Sequence, residues 1–417
     1  IYFEGLGYAF GYLIPGGLGQ YCYLDERALA GDEGCYLLPV KAETGYSEAA
    51  LAEPWACVVM SYSGSDRLPL PDTNLLIVTD TEVESWKTAN PFALVVDSSL
   101  EAICDERFDD VIVVSPTPEL VTELAGRLRK GGAMYLLGKP EQDGLVTLDI
   151  GRIHYDDIRF YGGSTKMEGV LENKRTDLKP NGTSVFVGAG GPMGQMHVQR
   201  AIEMADGPKR VVVTDLDPAR LEHIEARFGA LAAQKGVDLM LLSPSQFGSP
   251  ADMDARLKEL APGGYDDMVI LAPVAKLVEW AMGLAADDAF INVFAGLGVG
   301  TQMQIKLSDL CRGIKICGSS GSRISDLRNV LEQVESGRLS TNFSVAAIGG
   351  LSAGRVGLEA VKAGRYPGKT VIYPQIPDLP LMGLDEVAER IPELKDKLSP
   401  EGAWTNATEQ ALLELYL

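Results

Sequence analysis

Short apolar runs, each closed by a polar or glycine-containing turn, recur along the chain at the spacing of alternating strands and helices. Leu75 to Thr79, Ala93 to Asp97, Asp110 to Ser115 and Ala133 to Leu137 read as strands. Glu82 to Asn90 reads as a short helix, and Pro118 to Lys130 as a strong amphipathic one. Alternation of this kind predicts a parallel sheet. The pattern then recurs. Asp266-Asp267-Met268-Val269-Ile270-Leu271-Ala272-Pro273 parallels Asp109-Asp110-Val111-Ile112-Val113-Val114-Ser115-Pro116, and Val274 to Ala285 parallels the helix at 118–130. Ala289 to Ala295 parallels 133–138. Ile305-Lys306-Leu307 with Ile314 to Ser320 parallels Val146 to Ile150 with Ile158 to Ser164. The chain therefore carries two copies of one α/β unit. Asn173 to Gly182, containing Lys, Pro and Gly, reads as the linker between them.

The copies differ at their first turn. In the second, the apolar run Ser184-Val185-Phe186-Val187 enters Gly188-Ala189-Gly190-Gly191-Pro192-Met193-Gly194, and an unbroken helical stretch from Gln195 to Ile202 follows. Arg210-Val211-Val212-Val213-Thr214-Asp215 is then a β-branched run ending in an acid. Strand, glycine turn, helix, strand and acid form the context of a dinucleotide-binding βαβ unit. The glycines let the backbone reverse and let a pyrophosphate approach without meeting a Cβ. The helix aims its free N–H groups and positive end at that phosphate. Asp215, about 20 residues on, is placed to accept from both ribose hydroxyls, and its charge favours NAD over NADP. The glycines read as G-x-x-G-x-x-G at 188, 191 and 194, or as a one-residue expansion of G-x-G-x-x-G. In the first copy, Leu75 to Thr79 is followed by Asp80-Thr81-Glu82, with no glycine loop and an acid where a phosphate would sit. The first copy is expected to be an empty, structural unit.

Composition narrows the partners. A formal charge of −21 on 417 residues argues against nucleic acid and against an anionic membrane surface. No uncharged apolar run approaches the roughly 18 residues of a membrane span. Six cysteines (22, 35, 57, 104, 311 and 317) show no paired spacing, which predicts reduced thiols and a cytoplasmic protein. Gln20 to Leu24 and part of Asp32 to Val40 read as short strands, and Ser47 to Val58 as a helix that Pro54 should kink.

Several of these stretches together resemble the zinc-type medium-chain alcohol and polyol dehydrogenases. Gly16-Gly17-Leu18-Gly19-Gln20-Tyr21 and Ala50-Leu51-Ala52-Glu53-Pro54-Trp55-Ala56-Cys57-Val58 are similar to the exit of that family's GroES-like catalytic domain. Leu216-Asp217-Pro218-Ala219-Arg220 is similar to its adenosine-binding loop. Asp326-Leu327-Arg328 through Gly337 and Gly368-Lys369-Thr370-Val371-Ile372 resemble its closing segment, and the tail around Trp404-Thr405 and Glu409 to Leu413 looks most like the L-sorbose-1-phosphate reductase branch. The fold so implied is α/β: two tandem Rossmann-like parallel sheets, the first degenerate and the second cofactor-binding, with the remnant of a GroES-like domain. Residues 1–70 would be the end of the catalytic domain, 71–172 the degenerate unit, 181–322 the NAD-binding unit, and 323–417 the return to the catalytic domain with a helical tail.

The resemblance implies an NAD-dependent oxidoreductase that moves hydride between nicotinamide and a polyol or sugar-phosphate carbinol, with zinc as Lewis acid, in a homo-oligomer. Glu53 matches the position whose carboxylate faces that zinc. The other ligands, a Cys and a His-Glu pair, are expected upstream of Ile1, since none of His154, His197 and His223 stands in a Gly-His-Glu context. Cofactor contacts are expected at Gly188, Gly190, Gly191, Pro192, Met193, Gly194, Asp215 and Arg220. Ala272-Pro273 and Phe294-Ala295-Gly296, ending the fourth and sixth strands of the second copy, should edge the nicotinamide. His197 and His154 read as structural, His223 as solvated and Cys57 as core. A catalytically silent NAD-binding protein is the second reading, and an S-adenosylmethionine methyltransferase, which shares the glycine loop and acidic strand end, the third.

Overall fold

The computed structural model describes residues 9–31, 33–63, 73–81, 90, 93–139, 144–172, 175 and 177–417. The first α/β unit contributes β1 (Leu75–Val78), β2 (Leu94–Val96), β3 (Phe108–Val114), β4 (Leu128–Leu137), β5 (Leu145–Asp149) and β6 (Arg159–Ser164). The second contributes β7 (Thr183–Val187), β8 (Arg210–Thr214), β9 (Asp238–Leu242), β10 (Tyr265–Ile270), β11 (Ala285–Val293), β12 (Gln302–Lys306) and β13 (Lys315–Cys317). The last part of the chain forms β14 (Val345–Gly350), β15 (Lys369–Tyr373) and β16 (Met382–Gly383), a small sheet of its own in the order β15-β14-β16.

Both units are α/β, and their two parallel sheets join edge to edge. One 11-stranded sheet runs β2-β1-β3-β4-β6-β13-β11-β10-β7-β8-β9. Within the second unit this is the doubly wound order 3-2-1-4-5-6. Within each unit all pairs of this sheet are parallel, and the join of β6 to β13 is antiparallel, with Phe160 opposite Ile316. Interior strands such as β1 and β10 are buried along nearly all their length, as in a parallel sheet covered on both faces.

The repeated acid pair has the same task twice. Asp109 Oδ2 accepts from the N–H of Asn74, just before β1, and Asp266 Oδ2 accepts from that of Thr183, which opens β7. Each second acid is buried and accepts from a hydroxyl of the neighbouring strand's start: Asp110 from Thr73, Asp267 from Ser184. Asp267 also accepts from Arg175 and from Lys179 N. Burial raises the Asp267 carboxyl, and the Arg175 guanidinium pulls it back down. These acids staple adjacent parallel strands at their entry ends, opposite the edge where a ligand would bind.

A second contact joins the units. β5 pairs antiparallel with β12 in a ladder whose centre sets Thr147 against Gln304. In the register that aligns Asp109 with Asp266, Thr147 and Gln304 are counterparts. The helices that follow, Ile150–Tyr155 and Leu307–Cys311, are counterparts too. The joint therefore has the self-complementary form of a twofold interface, made within one chain.

Several local expectations are corrected. No strand forms at 20–24 or among the described residues of 32–40; Tyr21 and Tyr23 are exposed there and no strand among the described residues is paired to them. The helix from Pro118 stops at Ala125, and β4 begins at Leu128, opposite Phe108. The helix expected at 82–90 falls almost wholly outside the described residues. The long helix Tyr46–Ser63 continues through Pro54 beyond its expected end. It is held by Trp55 Nε1 donating to Ser344 Oγ (3.2 Å) and by Asn292 Nδ2 donating to Ser61 O (3.2 Å). The strand before Phe294 is the fifth of its unit, not the sixth, because β10 and β11 are neighbours and β13 lies beyond.

Phe160 is fully buried at the joint. Phe160→Ala is expected to lower the unfolding free energy by about 3–5 kcal/mol, the usual cost of emptying a buried aromatic site. Urea titration checks this, and a loss below about 1 kcal/mol would show that the joint is loosely packed.

Candidate dinucleotide crevice

At the exit of β7, Gly188 takes φ +73°, and a Cβ there would lie 2.7 Å from Ala272 Cβ, so the turn is closed to larger residues. The N–H groups of Gly188 and Ala189 both donate to Thr214 O, at 2.8 and 3.0 Å, which ties the turn to β8. Gly194 is packed so closely on Ala189 that its Cβ would lie 2.4 Å from backbone. Gly191 is different: a Cβ there would meet nothing within 4 Å. It caps the helix Pro192–Glu203 without any side-chain hydrogen bond, so that helix's first N–H groups are left without a side-chain cap. This is the arrangement that receives an anion.

Asp215, at the exit of β8, accepts from Gly190 N at 2.7 Å and from Asp217 N at 3.0 Å. Its carboxylate is thereby fixed beside the turn. Asp217 caps the next helix, Pro218–Lys235, by accepting from Ala219 N, and lies 3.6 Å from Arg220 Nε. Arg220 stands over Gly190, where a Cβ would meet Arg220 Cβ at 2.7 Å. Ala272 and Pro273 follow β10, and Phe294, Ala295 and Gly296 follow β11. The exits of β7, β8, β10 and β11 share one edge of the sheet, so the residues expected at the crevice come together there, with Pro192 and Met193 opening the helix.

Glu53 lies on the helix Tyr46–Ser63, exposed, with its Oε1 accepting from Cys57 Sγ at 3.3 Å. Cys57 is half-buried rather than core. Burial and then the Glu53 carboxylate push its thiol up to about 12, so it is protonated at neutral pH. Lys369 completes the cluster. Burial pushes its ammonium below the usual range, while Glu53 and Cys57 act against that. Its Nζ lies 3.2 Å from Met193 Sδ, at the first turn of the glycine-led helix. Gln195 Nε2 ties the same region together, donating to Gly190 O and Pro367 O at 3.1 and 2.5 Å. Lys369, Cys57 and Gln195 were not singled out by spacing. Lys369 is 176 positions from Met193, and only its place in the Gly368–Ile372 closing segment pointed toward it.

Zinc does not fit these residues. Glu53 and Cys57 offer two donors on one helix face, whereas protein zinc sites draw on three or four side chains. Among the described residues no group of three or more His, Cys, Asp and Glu could hold a metal ion.

The histidines are each placed differently. His197 is fully buried, with Nδ1 2.7 Å from the Tyr62 hydroxyl and its ring edge-on to Phe294. Burial, helped by the Arg200 charge, pushes it down to about 3, so it is neutral at pH 7. His223 is half-buried rather than solvated, and burial pushes it to about 4. His154, on the first unit's helix Ile150–Tyr155, faces the second unit: its Nδ1 lies 3.3 Å from Val293 O, at the exit of β11.

A glycine turn, an open helix N-terminus and an acid at the next strand's exit, on a 3-2-1-4-5-6 sheet, form a doubly wound α/β unit with the arrangement that dinucleotide-binding domains use. The chain is 32% identical over 253 residues to a mannitol-1-phosphate 5-dehydrogenase of Aliivibrio fischeri, covering 57% of this chain and 58% of that protein. It is 27% identical over 245 residues to an L-sorbose 1-phosphate reductase of Klebsiella pneumoniae, covering 57% and 56%. The chain thus spans little more than half the length of the curated relatives it matches. A solved structure of 2R,3R-butanediol dehydrogenase from Bacillus subtilis aligns over 48% of this chain and 52% of its own, with 20% identity and a TM-score of 0.38. No known family profile matches the chain. Over the matched stretch the chain is related to the polyol and sugar-phosphate dehydrogenases, as the sequence resemblance implied. No helix among the described residues is long and apolar enough to cross a membrane.

The glycines separate by environment. Gly191→Ala is expected to leave the melting temperature within about 2 °C of wild type, since a surface substitution in open space costs little, while weakening dinucleotide binding. Gly194→Ala is expected to destabilise the fold by forcing its Cβ onto backbone. Thermal unfolding with and without NADH checks both, and equal stability losses would contradict the assignment of Gly191 to the phosphate.

Proposed function

We propose that the chain is the nucleotide-binding part of an NAD-dependent oxidoreductase acting on a polyol or sugar phosphate. The observation that carries this reading is the pairing of the open Gly191 turn with the fixed Asp215 carboxylate at the exits of adjacent strands. The adenosine ribose would hydrogen-bond to Asp215, the pyrophosphate would lie on the N-terminus of the helix Pro192–Glu203, and the nicotinamide would reach Ala272-Pro273 and Phe294-Ala295-Gly296. A 2′-phosphate would meet the Asp215 charge, which favours NAD over NADP. The relatives' names support a phosphorylated carbohydrate substrate.

When bound, the nicotinamide would take up hydride from a carbinol carbon, giving a ketone and NADH while the hydroxyl proton is released to solvent or a base, with the reverse in reduction. This chain's residues bind and orient. With a formal charge of −21, the protein needs local cations to receive anionic ligands. Lys369, beside Met193, and Arg220, beside Gly190, are the cations assigned to phosphate groups. Zinc would act as a Lewis acid in the family chemistry the resemblance implies, but the described residues do not build its site. Glu53 is assigned to the substrate end, paired with Cys57 and facing Lys369. A homo-oligomer, implied by the resemblance, and a cytoplasmic location, expected from the cysteine spacing, remain part of this reading. A silent NAD-binding protein is the second reading; tight NADH binding with no turnover of any polyol phosphate would select it.

Fluorescence titration with NADH and NADPH tests the proposal. NADH should bind the more tightly. Asp215→Ala should weaken NADH about 10–100-fold, the worth of hydrogen bonds to a charged group, and narrow the gap to NADPH. Asp97→Ala, at the corresponding strand exit of the first unit, should change nothing. Equal losses for the two variants would overturn the assignment of the cofactor to the second unit.

A further inference from the structure

The first α/β unit lacks a glycine turn, yet it reaches the ligand edge of the second. Its helix Ile150–Tyr155 lies directly on the turn that follows β11. Asp149 Oδ2 accepts from Gly300 N at 2.8 Å, and Ile150 N donates to Thr301 O at 3.0 Å. Gly151 is so near this turn that a Cβ would lie 2.4 Å from Gly298 O. Ile153 and His154 crowd Gly318, where a Cβ would meet Ile153 O and His154 Cα at 3.2 Å. The contacts therefore extend along the helix from its cap to its last turn.

The two residues at the end of this helix carry polar atoms to the crevice. At Gly296, which is exposed, a Cβ would lie 2.8 Å from the Tyr155 hydroxyl and 3.4 Å from His154 Nε2. The rings stand edge to face, 4.6 Å between centroids. Since a carbonyl oxygen only accepts, the contact of His154 Nδ1 with Val293 O puts the proton on Nδ1. Nε2 is then a lone-pair acceptor. Tyr155, 46% exposed, offers a hydroxyl that both donates and accepts. A donor and an acceptor side by side match a primary carboxamide, which carries an NH2 and a C=O.

Resting on the dinucleotide reading above, we propose that the first unit serves as a built-in partner for the second, and that its His154 and Tyr155 position the nicotinamide carboxamide at Gly296. The degenerate copy keeps a role in the site without holding a nucleotide. They are positioning residues: the adenosine and pyrophosphate contacts lie elsewhere, on Asp215 and the helix Pro192–Glu203.

ADP-ribose separates the two ends of the ligand, since it has the adenosine, pyrophosphate and second ribose but no nicotinamide. In the H154F/Y155F double variant, which keeps an aromatic ring at both positions, NADH affinity should fall at least tenfold while ADP-ribose affinity stays within twofold of wild type. Y155F alone, at a half-exposed position, should show a smaller loss for NADH only, and serves if the double variant does not fold. Unchanged NADH affinity, or parallel losses for NADH and ADP-ribose, would overturn the proposal, the second outcome marking a merely structural role. If wild type binds neither ligand, the dinucleotide reading itself fails, which the wild-type titration alone decides.

Discussion

A strand at the end of a sheet leaves a row of N–H and C=O groups unpaired, and a folded chain has to cover, blunt or pair that edge. Here the outermost strand of the nucleotide-type unit, β13, is only three residues long and is paired by β6 of the same chain. The join makes one sheet from two units and fixes where the first unit stands. The β5–β12 ladder sets a second line of contact, centred on counterpart residues. With both in place, the helix Ile150–Tyr155 has no freedom but to lie along the turn after β11. The ligand edge of the second unit is thus shaped partly by residues from the first.

The crevice is built from constraints that differ in kind. Gly188 and Gly194 are demanded by close packing of the turn, whereas Gly191 is left in open space beside an uncapped helix N-terminus. The acid at the end of β8 is not free to wander, because it accepts from the turn's own backbone and from Asp217 N. Electrostatics follow the same economy. In a strongly acidic chain, Lys369 and Arg220 sit at the turn, and the buried His197 stays neutral because burial among Tyr62 and Phe294 disfavours its charge.

Much of this was legible in the sequence where the cause was local. The glycine turn, the acid-terminated strand and the repeated Asp-Asp pairs announce themselves within windows of a few residues, and the structure gives each a backbone hydrogen bond. What could not be read was set by distant neighbours. Nothing in the run 145–149 says that it pairs with 302–306, and nothing around His154 says that it faces Val293. The helix from Pro118 looked continuous to Lys130, but pairing of Leu128 with Phe108 draws the chain into a strand after Gly126. Gln20 to Leu24 looks like a strand by residue type, but no strand among the described residues pairs with it. Cys57 looked like core and proves half-buried, with the Glu53 carboxylate and the Lys369 ammonium near enough to act on its thiol.

The central claim is an asymmetric one: two related units in one sheet, one receiving a dinucleotide and the other supporting it. The number of NADH molecules bound per chain, measured by calorimetric titration, tests it most directly. One per chain is the result predicted. Two would mean that the first unit also binds a nucleotide, and none would mean that the Gly191 turn and Asp215 serve only the fold.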